Sequence, residues 1–157
     1  MHVFPVEPAS TETLETWNAA DGWRAAYGGM AKGLLFFAED VFGGQFALRG
    51  DDVCTFDPET GDLARMATSL EDWAGQVLDR YSVLTGHPLA HDWQIAHSPL
   101  EPGKRLVPTV PFVIGGDYVV DNMRAVDAEE SMRLRAELAL QIRHIPEGAE
   151  IRIRFTN

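Results

Sequence analysis

The chain changes its hydrophobic period several times, and each change marks an element. Leu34, Leu35, Phe36, Phe37 and Ala38 form a continuous apolar run too short for a helix. It reads as a strand buried on both faces, at the centre of a sheet. After Gly43 and Gly44, the stretch Gln45, Phe46, Ala47, Leu48, Arg49 alternates polar and apolar positions as a half-buried strand does. Gly50, Asp51 and Asp52 turn the chain into Val53, Cys54, Thr55 and Phe56, another short strand. The segment 57–62 is the clearest turn: Pro58 presets φ, Asp57 can bond forward to the backbone, and Gly61 can take a left-handed conformation. Strands joined this tightly pair antiparallel, because a parallel crossover needs a dozen or more residues.

Helical periods flank these strands. Ser10, Thr11 and Thr13 offer capping hydroxyls ahead of Leu14 and Trp17, which predicts a short helical segment over 10–20. Ser69 with Asp72 makes a capping-box start, and Leu70, Trp73, Val77, Leu78, Tyr81 and Leu84 recur at three- and four-residue intervals. That pattern predicts one buried face up to Gly86, with close backbone packing at Gly75. Residues 87–111 hold five prolines and little periodicity, so they read as a loop pinned to the core by Trp93. Phe112, Val113 and Ile114 face Tyr118, Val119 and Val120 across Gly115 and Gly116, which suits a hairpin or a bulged strand. Asp127 and Glu130 cap a helix whose stripe is Leu134, Leu138, Ile142 and Ile145, stopped by Pro146. Arg135 falls inside its apolar arc, where snorkelling or a carboxylate partner would accommodate it. Ile151, Ile153 and Phe155 alternate with Arg152 and Arg154 as a closing strand. The whole predicts an α+β fold, an antiparallel β-sheet flanked by helices, in a single domain over 1–157.

Composition narrows the function. With 45% hydrophobic and 24% charged residues the 157-residue chain has an ordinary globular balance, which argues against disorder and against a disulfide scaffold. Its formal net charge of −11 argues against nucleic acid and an anionic membrane surface as partners, since both require Lys and Arg to neutralise phosphates. The charge is concentrated in residues 1–78, with 4 basic and 13 acidic side chains. Cys54 is the sole cysteine and sits in a strand context, so it reads as a buried small hydrophobe. The N-terminal residues lack a basic stretch followed by an apolar one, and no run reaches the length of a membrane span, so the chain reads as cytoplasmic.

Candidate chemistry is sparse. His87, His91 and His97 with Asp92 have a spacing that a metal can use, but Pro88 speaks against a regular helix through the first pair, and no third ligand completes a site. No metal and no cofactor is expected. The pairs Glu39–Asp40 and Asp51–Asp52 could serve as acid and base, yet neighbours on a strand point to opposite faces. No phosphate-binding loop, nucleophile elbow or His-Glu-x-x-His occurs, and no set of nucleophile, base and orienting group can be assembled, so the chain reads as a non-enzyme. What stands out is the segment 39–72, where nine carboxylates face only Arg49 and Arg65. Like charges on neighbouring turns repel unless a partner neutralises them, which makes Glu39, Asp40, Asp51, Asp52, Asp57 and Glu59 the candidate partner-binding residues.

Three stretches carry a family likeness. The segment Phe37 to Phe46, with Val41-Phe42-Gly43-Gly44 in its middle, the turn Phe56-Asp57-Pro58-Glu59-Thr60-Gly61, and the helix start Ser69-Leu70-Glu71-Asp72-Trp73 resemble the SMI1/KNR4 family, also called the SUKH superfamily. The later Pro111 to Tyr118 stretch and the segment 145–148 are similar to longer bacterial members. The resemblance implies an antiparallel sheet flanked by helices and a binding function. It points to an immunity-type protein that neutralises a cognate bacterial toxin, such as a nuclease or another nucleic-acid-modifying enzyme. The expected partner is then a basic toxin protein met through the acidic surface, with the chain itself a monomer or weak homodimer. Two other readings stand beside it: a regulatory or scaffold domain binding an endogenous protein, and a small hydrolase using the clustered carboxylates.

Overall fold

The computed structural model describes residues 1–6 and 12–145. Five strands form one antiparallel sheet in sequential order: β1 (His2–Val3), β2 (Leu35–Glu39), β3 (Gln45–Arg49), β4 (Asp52–Phe56) and β5 (Leu63–Ala67). The β3–β4 hairpin closes on Gly50 and Asp51, with Gly50 at a φ of 63°, the positive value that a two-residue loop needs at its first position. The β4–β5 connection is the expected Asp57 turn: Asp57 Oδ1 accepts from the Glu59 amide at 2.7 Å, and Gly61 is left-handed. The apolar run 34–38 is not the middle of the sheet. β3 is, and the outer side of β2 is met by the two residues of β1 and by Asn18, whose side chain bonds the Phe36 amide and carbonyl, while Leu35 is exposed.

A bulge in β2 decides which way its end points. Phe36 pairs with Ala47 and Glu39 with Gln45, so three residues on β2 span two on β3. The extra residue puts Phe36 and Glu39 on the same face, where strict alternation would have put them on opposite ones. Glu39 is thereby turned into the interior.

Helices cover both faces. On one side α1 (Leu14–Trp17), α2 (Trp23–Ala26) and α6 (Ala128–Ile142) pack over Phe36, Ala47 and Phe56 with an aromatic cluster of Trp17, Trp23 and Tyr27. The three polar side-chain atoms of that cluster all find partners, as Trp17 Nε1 donates to Gln45 Oε1 at 2.8 Å, Trp23 Nε1 to the Trp17 carbonyl at 3.0 Å and the Tyr27 hydroxyl to the Pro58 carbonyl at 2.7 Å. On the other side Trp73 and Val77 of α3 (Leu70–Asp79) pack on Phe46 and Val53. Ser69 caps α3 through the Asp72 amide, as its spacing predicts.

The long amphipathic helix predicted up to Gly86 is two helices. α3 ends at Asp79 with Arg80 as its C-cap, α4 (Tyr81–Thr85) starts at the next residue, and Leu78, which a single buried stripe would cover, is 77% exposed. A Cβ added at Gly75 would meet open space, so no backbone packs closely there.

Residues 87–111 are not a loop. α5 (His87–Ala96) begins straight after Gly86 and carries Pro88 in its first turn, where a missing amide hydrogen costs nothing. β6 (Lys104–Pro108) then pairs with β7 (Met123–Asp127) in a separate two-stranded sheet. Trp93 does pin α5, donating from Nε1 to the Met123 carbonyl at 3.1 Å. Between β6 and β7 the Phe112 and Val120 segments form short 3-10 turns rather than paired strands. Gly116 sits hard against the Val110 carbonyl there, where a side chain would not fit.

Asp127 caps α6 by accepting from the Glu130 amide at 3.1 Å. The buried face of α6 runs through Ala128, Met132, Ala136 and Ala139, with Leu138 beside it, while Leu134 and Ile142 are only half-buried. Small residues face the sheet because α2 and the aromatic cluster approach closely. The Pro146 stop and the strand read over 151–155 lie outside the described residues.

Candidate functional site

The six acidic positions singled out from the sequence do not form one surface. Glu39 has no exposed surface: its Oε1 accepts from Arg105 Nε at 2.8 Å and from Arg105 Nη2, and its Oε2 from Gln45 Nε2 at 2.9 Å. Gln45 in turn accepts from Trp17 Nε1 at 2.8 Å. This is an internal ion pair with its hydrogen bonds filled, and the bulge in β2 is the reason that it exists. Asp51 and Asp52 lie at the β3–β4 hairpin, with Asp52 bridged to Arg65 at 2.9 Å. Asp57 and Glu59 follow the other end of β4, four residues away, which is about 13 Å at strand spacing. The acidic cluster is therefore split between opposite ends of the sheet.

One end does gather chemistry. Beyond the last residues of β2 and β4 lies an open groove of about 690 Å³. Phe46, Thr55 and Ala64 belong to its sheet side, and Val83 and Leu84 of α4 to its flank. The turn 57–62 brings Asp57, Glu59 and Asp62, the turn after β2 brings Asp40 and Phe42, and the segment between β6 and β7 brings Phe112 and Tyr118. Arg135 of α6 is the single cation among the lining residues.

Each polar side chain in the groove is held by its own local structure. Asp40 Oδ1 accepts from the Phe42 and Gly44 amides, both at 2.8 Å, which shapes the turn 40–44. Although Asp40 keeps some exposed surface, protein surrounds its carboxyl, and this burial outweighs the two amide bonds and the Arg135 charge to push its pKa up to about 6. Glu59 is 4% exposed; its Oε2 accepts from the Val113 amide at 2.9 Å and ties the aromatic segment to the turn. Burial raises its pKa too, and its Oε1 has no hydrogen-bond partner among the described residues. Asp57 and Asp62 are exposed on the rim.

Arg135 neither snorkels nor pairs directly with a carboxylate. Nη1 donates to the Phe42 carbonyl at 2.6 Å, Nε to the Ser131 carbonyl at 3.1 Å, and Nη2 to the Ser131 hydroxyl at 2.9 Å. Each of its nitrogens donates to a non-carboxylate oxygen of the protein, so its charge tempers Asp40 and Glu59 without pairing with them. Gly43 makes the contact possible: its φ is 79°, and a Cβ there would lie 2.6 Å from Arg135 Nη2.

The aromatic members are Phe42, Phe112 and Tyr118. Phe112 and Tyr118 stack at 3.7 Å with their planes 7° apart. Phe42 stands nearly perpendicular to both, 6.1 Å from one and 5.9 Å from the other. Equal distances to two stacked rings place Phe42 against their edges, not over the free face of Tyr118. Tyr118 is 64% exposed, and its hydroxyl pKa is raised by burial first and then by Asp57, Glu59 and Asp40.

Of the residues named from sequence, the groove gathers Asp40, Asp57 and Glu59 and leaves out Glu39, Asp51 and Asp52. Phe42, Phe112, Tyr118 and Arg135 were missed as site residues. The one signal pointing to them was an arginine within an apolar helical arc, together with a glycine-rich aromatic stretch outside any clear period. The acid–base pairing is also dispersed, since Glu39 faces inward to Arg105 while Asp40 faces the groove.

His87 and His91 do lie on one helix, with parallel rings 6.0 Å apart, so Pro88 does not prevent the helix. Among the described residues no group of three or more His, Cys, Asp or Glu side chains could hold a metal ion, and no helix is long and apolar enough to cross a membrane. Cys54 is fully buried in β4. No protein-family model matches the chain, and no curated protein matches it.

Proposed function

We propose that this protein is a non-catalytic binding module of the immunity type, which neutralises a cognate bacterial toxin by seating a basic element of that toxin in the groove beside Asp40, Asp57, Glu59 and Asp62. The observation that carries the binding reading is the groove's imbalance: four carboxylates share it with one arginine, each of whose three side-chain nitrogens already donates to a carbonyl or hydroxyl oxygen. A partner's cation supplies what the protein leaves unmet, and low-dielectric walls strengthen that attraction. The toxin as partner, and a bacterial cytoplasmic setting, rest on the sequence resemblance to SUKH immunity proteins. The docking surface is narrower than the sequence suggested, because Glu39 is internal and Asp51 and Asp52 stand at the far end of the sheet.

The test is co-expression with the toxin-like product of the neighbouring gene. Wild type protects growth and forms a stable purified complex. Exchanging both rim carboxylates, Asp57→Asn with Asp62→Asn, weakens that complex at least tenfold, whereas Asp51→Asn with Asp52→Asn leaves it within about twofold. Equal losses in the two double variants would place binding elsewhere, and no protection by wild type would remove the immunity reading.

A further inference from the structure

We propose that the groove is built for an arginine side chain of the partner, with its guanidinium laid on the free face of Tyr118 and bonded to Asp57. This assignment rests on the groove being the docking site and adds which cation it selects.

The aromatic geometry favours a planar cation. One face of Tyr118 is covered by Phe112 at 3.7 Å, Phe42 meets the edges of both rings, and among the described residues no other ring stacks on Tyr118, which is 64% exposed. The stack holds the ring in place, so a cation laid on it need not order it first. A guanidinium is flat, weakly hydrated and stacks on such a ring, whereas an ammonium is compact and strongly hydrated.

The acceptors match the same group. Asp57 is exposed beside the aromatic pair, and only its Oδ1 is used in the turn, by the Glu59 and Thr60 amides. Glu59, 4% exposed and also lining the groove, carries a buried Oε1 with no hydrogen-bond partner among the described residues, an uncommon condition for a carboxylate in a finished interior. A group with five donors in a fixed fork can bond Asp57 and still present donors toward Glu59, while an ammonium has three donors on one atom.

The probes are two short capped peptides, Gly-Arg-Gly and Gly-Lys-Gly, titrated into the whole protein and followed by amide chemical shifts. The arginine peptide shifts the amides of Thr60, Val113 and Tyr118 and binds about fivefold tighter than the lysine peptide. Tyr118→Leu erases that preference, Tyr118→Phe retains it, and Asp57→Asn weakens both peptides. Equal binding of the two peptides at these amides would overturn the arginine assignment and leave the groove as a general cation site. Shifts confined to other surfaces, with both peptides, would overturn the assignment and the docking site together.

Discussion

Arg105 of β6 reaches Glu39 at the end of β2, with Nε 2.8 Å from Oε1, and so joins the small sheet to the large one through an ion pair hidden from solvent. The pair is surrounded rather than isolated. Arg105 also meets Glu12 at 3.3 Å, and Gln45 fills the second oxygen of Glu39. A charge this deep is tolerated because its partners are all in place.

Removing one partner should therefore be costly. Arg105→Met leaves Glu39 buried without its cation and should lower stability by about 3–5 kcal/mol. Glu39→Leu combined with Arg105→Met should recover most of the loss, since an apolar pair carries no desolvation cost. Urea unfolding of the two single variants and the double variant measures the coupling. Strictly additive losses would show that the two residues act independently.

Asp40 makes stability depend on pH. Its folded pKa is about 6 against an ordinary 3.8, so between those values the native state holds a proton that the unfolded chain has lost. Its contribution is unfavourable above pH 6 and fades as pH falls through 6 toward 4. Asp40→Asn keeps an oxygen for the Phe42 and Gly44 amides and has no charge to bury. The variant should be more stable than wild type at pH 7, by up to about 3 kcal/mol, with the gap closing near pH 4. A gap that is constant from pH 4 to 7 would contradict the burial of this carboxyl.

Gly43 and Gly28 both have positive φ, at 79° and 59°, but only Gly43 has a neighbour in the way. Gly28→Ala should cost about 1 kcal/mol, the conformational penalty alone. Gly43→Ala should cost at least 2 kcal/mol, because the methyl group also displaces Arg135 from the Phe42 carbonyl. Thermal unfolding of the two variants separates conformation from contact; equal losses would show that the guanidinium moves aside freely.

Cys54 offers a probe of opening. It is fully buried in β4 between β3 and β5, so a neutral-pH thiol reagent should label it only when the sheet opens. Labelling at the rate of an unfolded control, without denaturant, would show that β5 detaches under native conditions.

The readable parts of this chain are those decided over a few residues. Ser69 and Asp127 cap their helices, Asp57 folds its turn, and β3 and β4 pair antiparallel as their short connection predicts, because each rests on bonds within the segment or to the next strand; the half-buried alternation read for 45–49 does not hold, since Gln45, Phe46 and Ala47 are all buried in the central strand. Pro88 and the prolines after it hid a helix and a strand, since proline in a first helical turn or at a strand end breaks nothing. Of the candidate site, the turn 57–62 was visible in the residues and the groove was not. Its walls come from segments near 40, 57–62, 83, 112–118 and 135, and no local pattern ties an arginine on the last helix to a turn after the second strand.

By itself, the order of residues determined the antiparallel hairpins, the two capped helices, the buried cysteine and an excess of negative charge in the first half. Only the tertiary structure decided where that charge is displayed. One extra residue in β2 turns Glu39 inward to a cation 66 positions away, and the length of β4 carries Asp52 and Asp57 to opposite ends of the sheet. Sequence neighbours share a local conformation, but facing and distance are set by register and by which surfaces pack together, and those are properties of the whole fold.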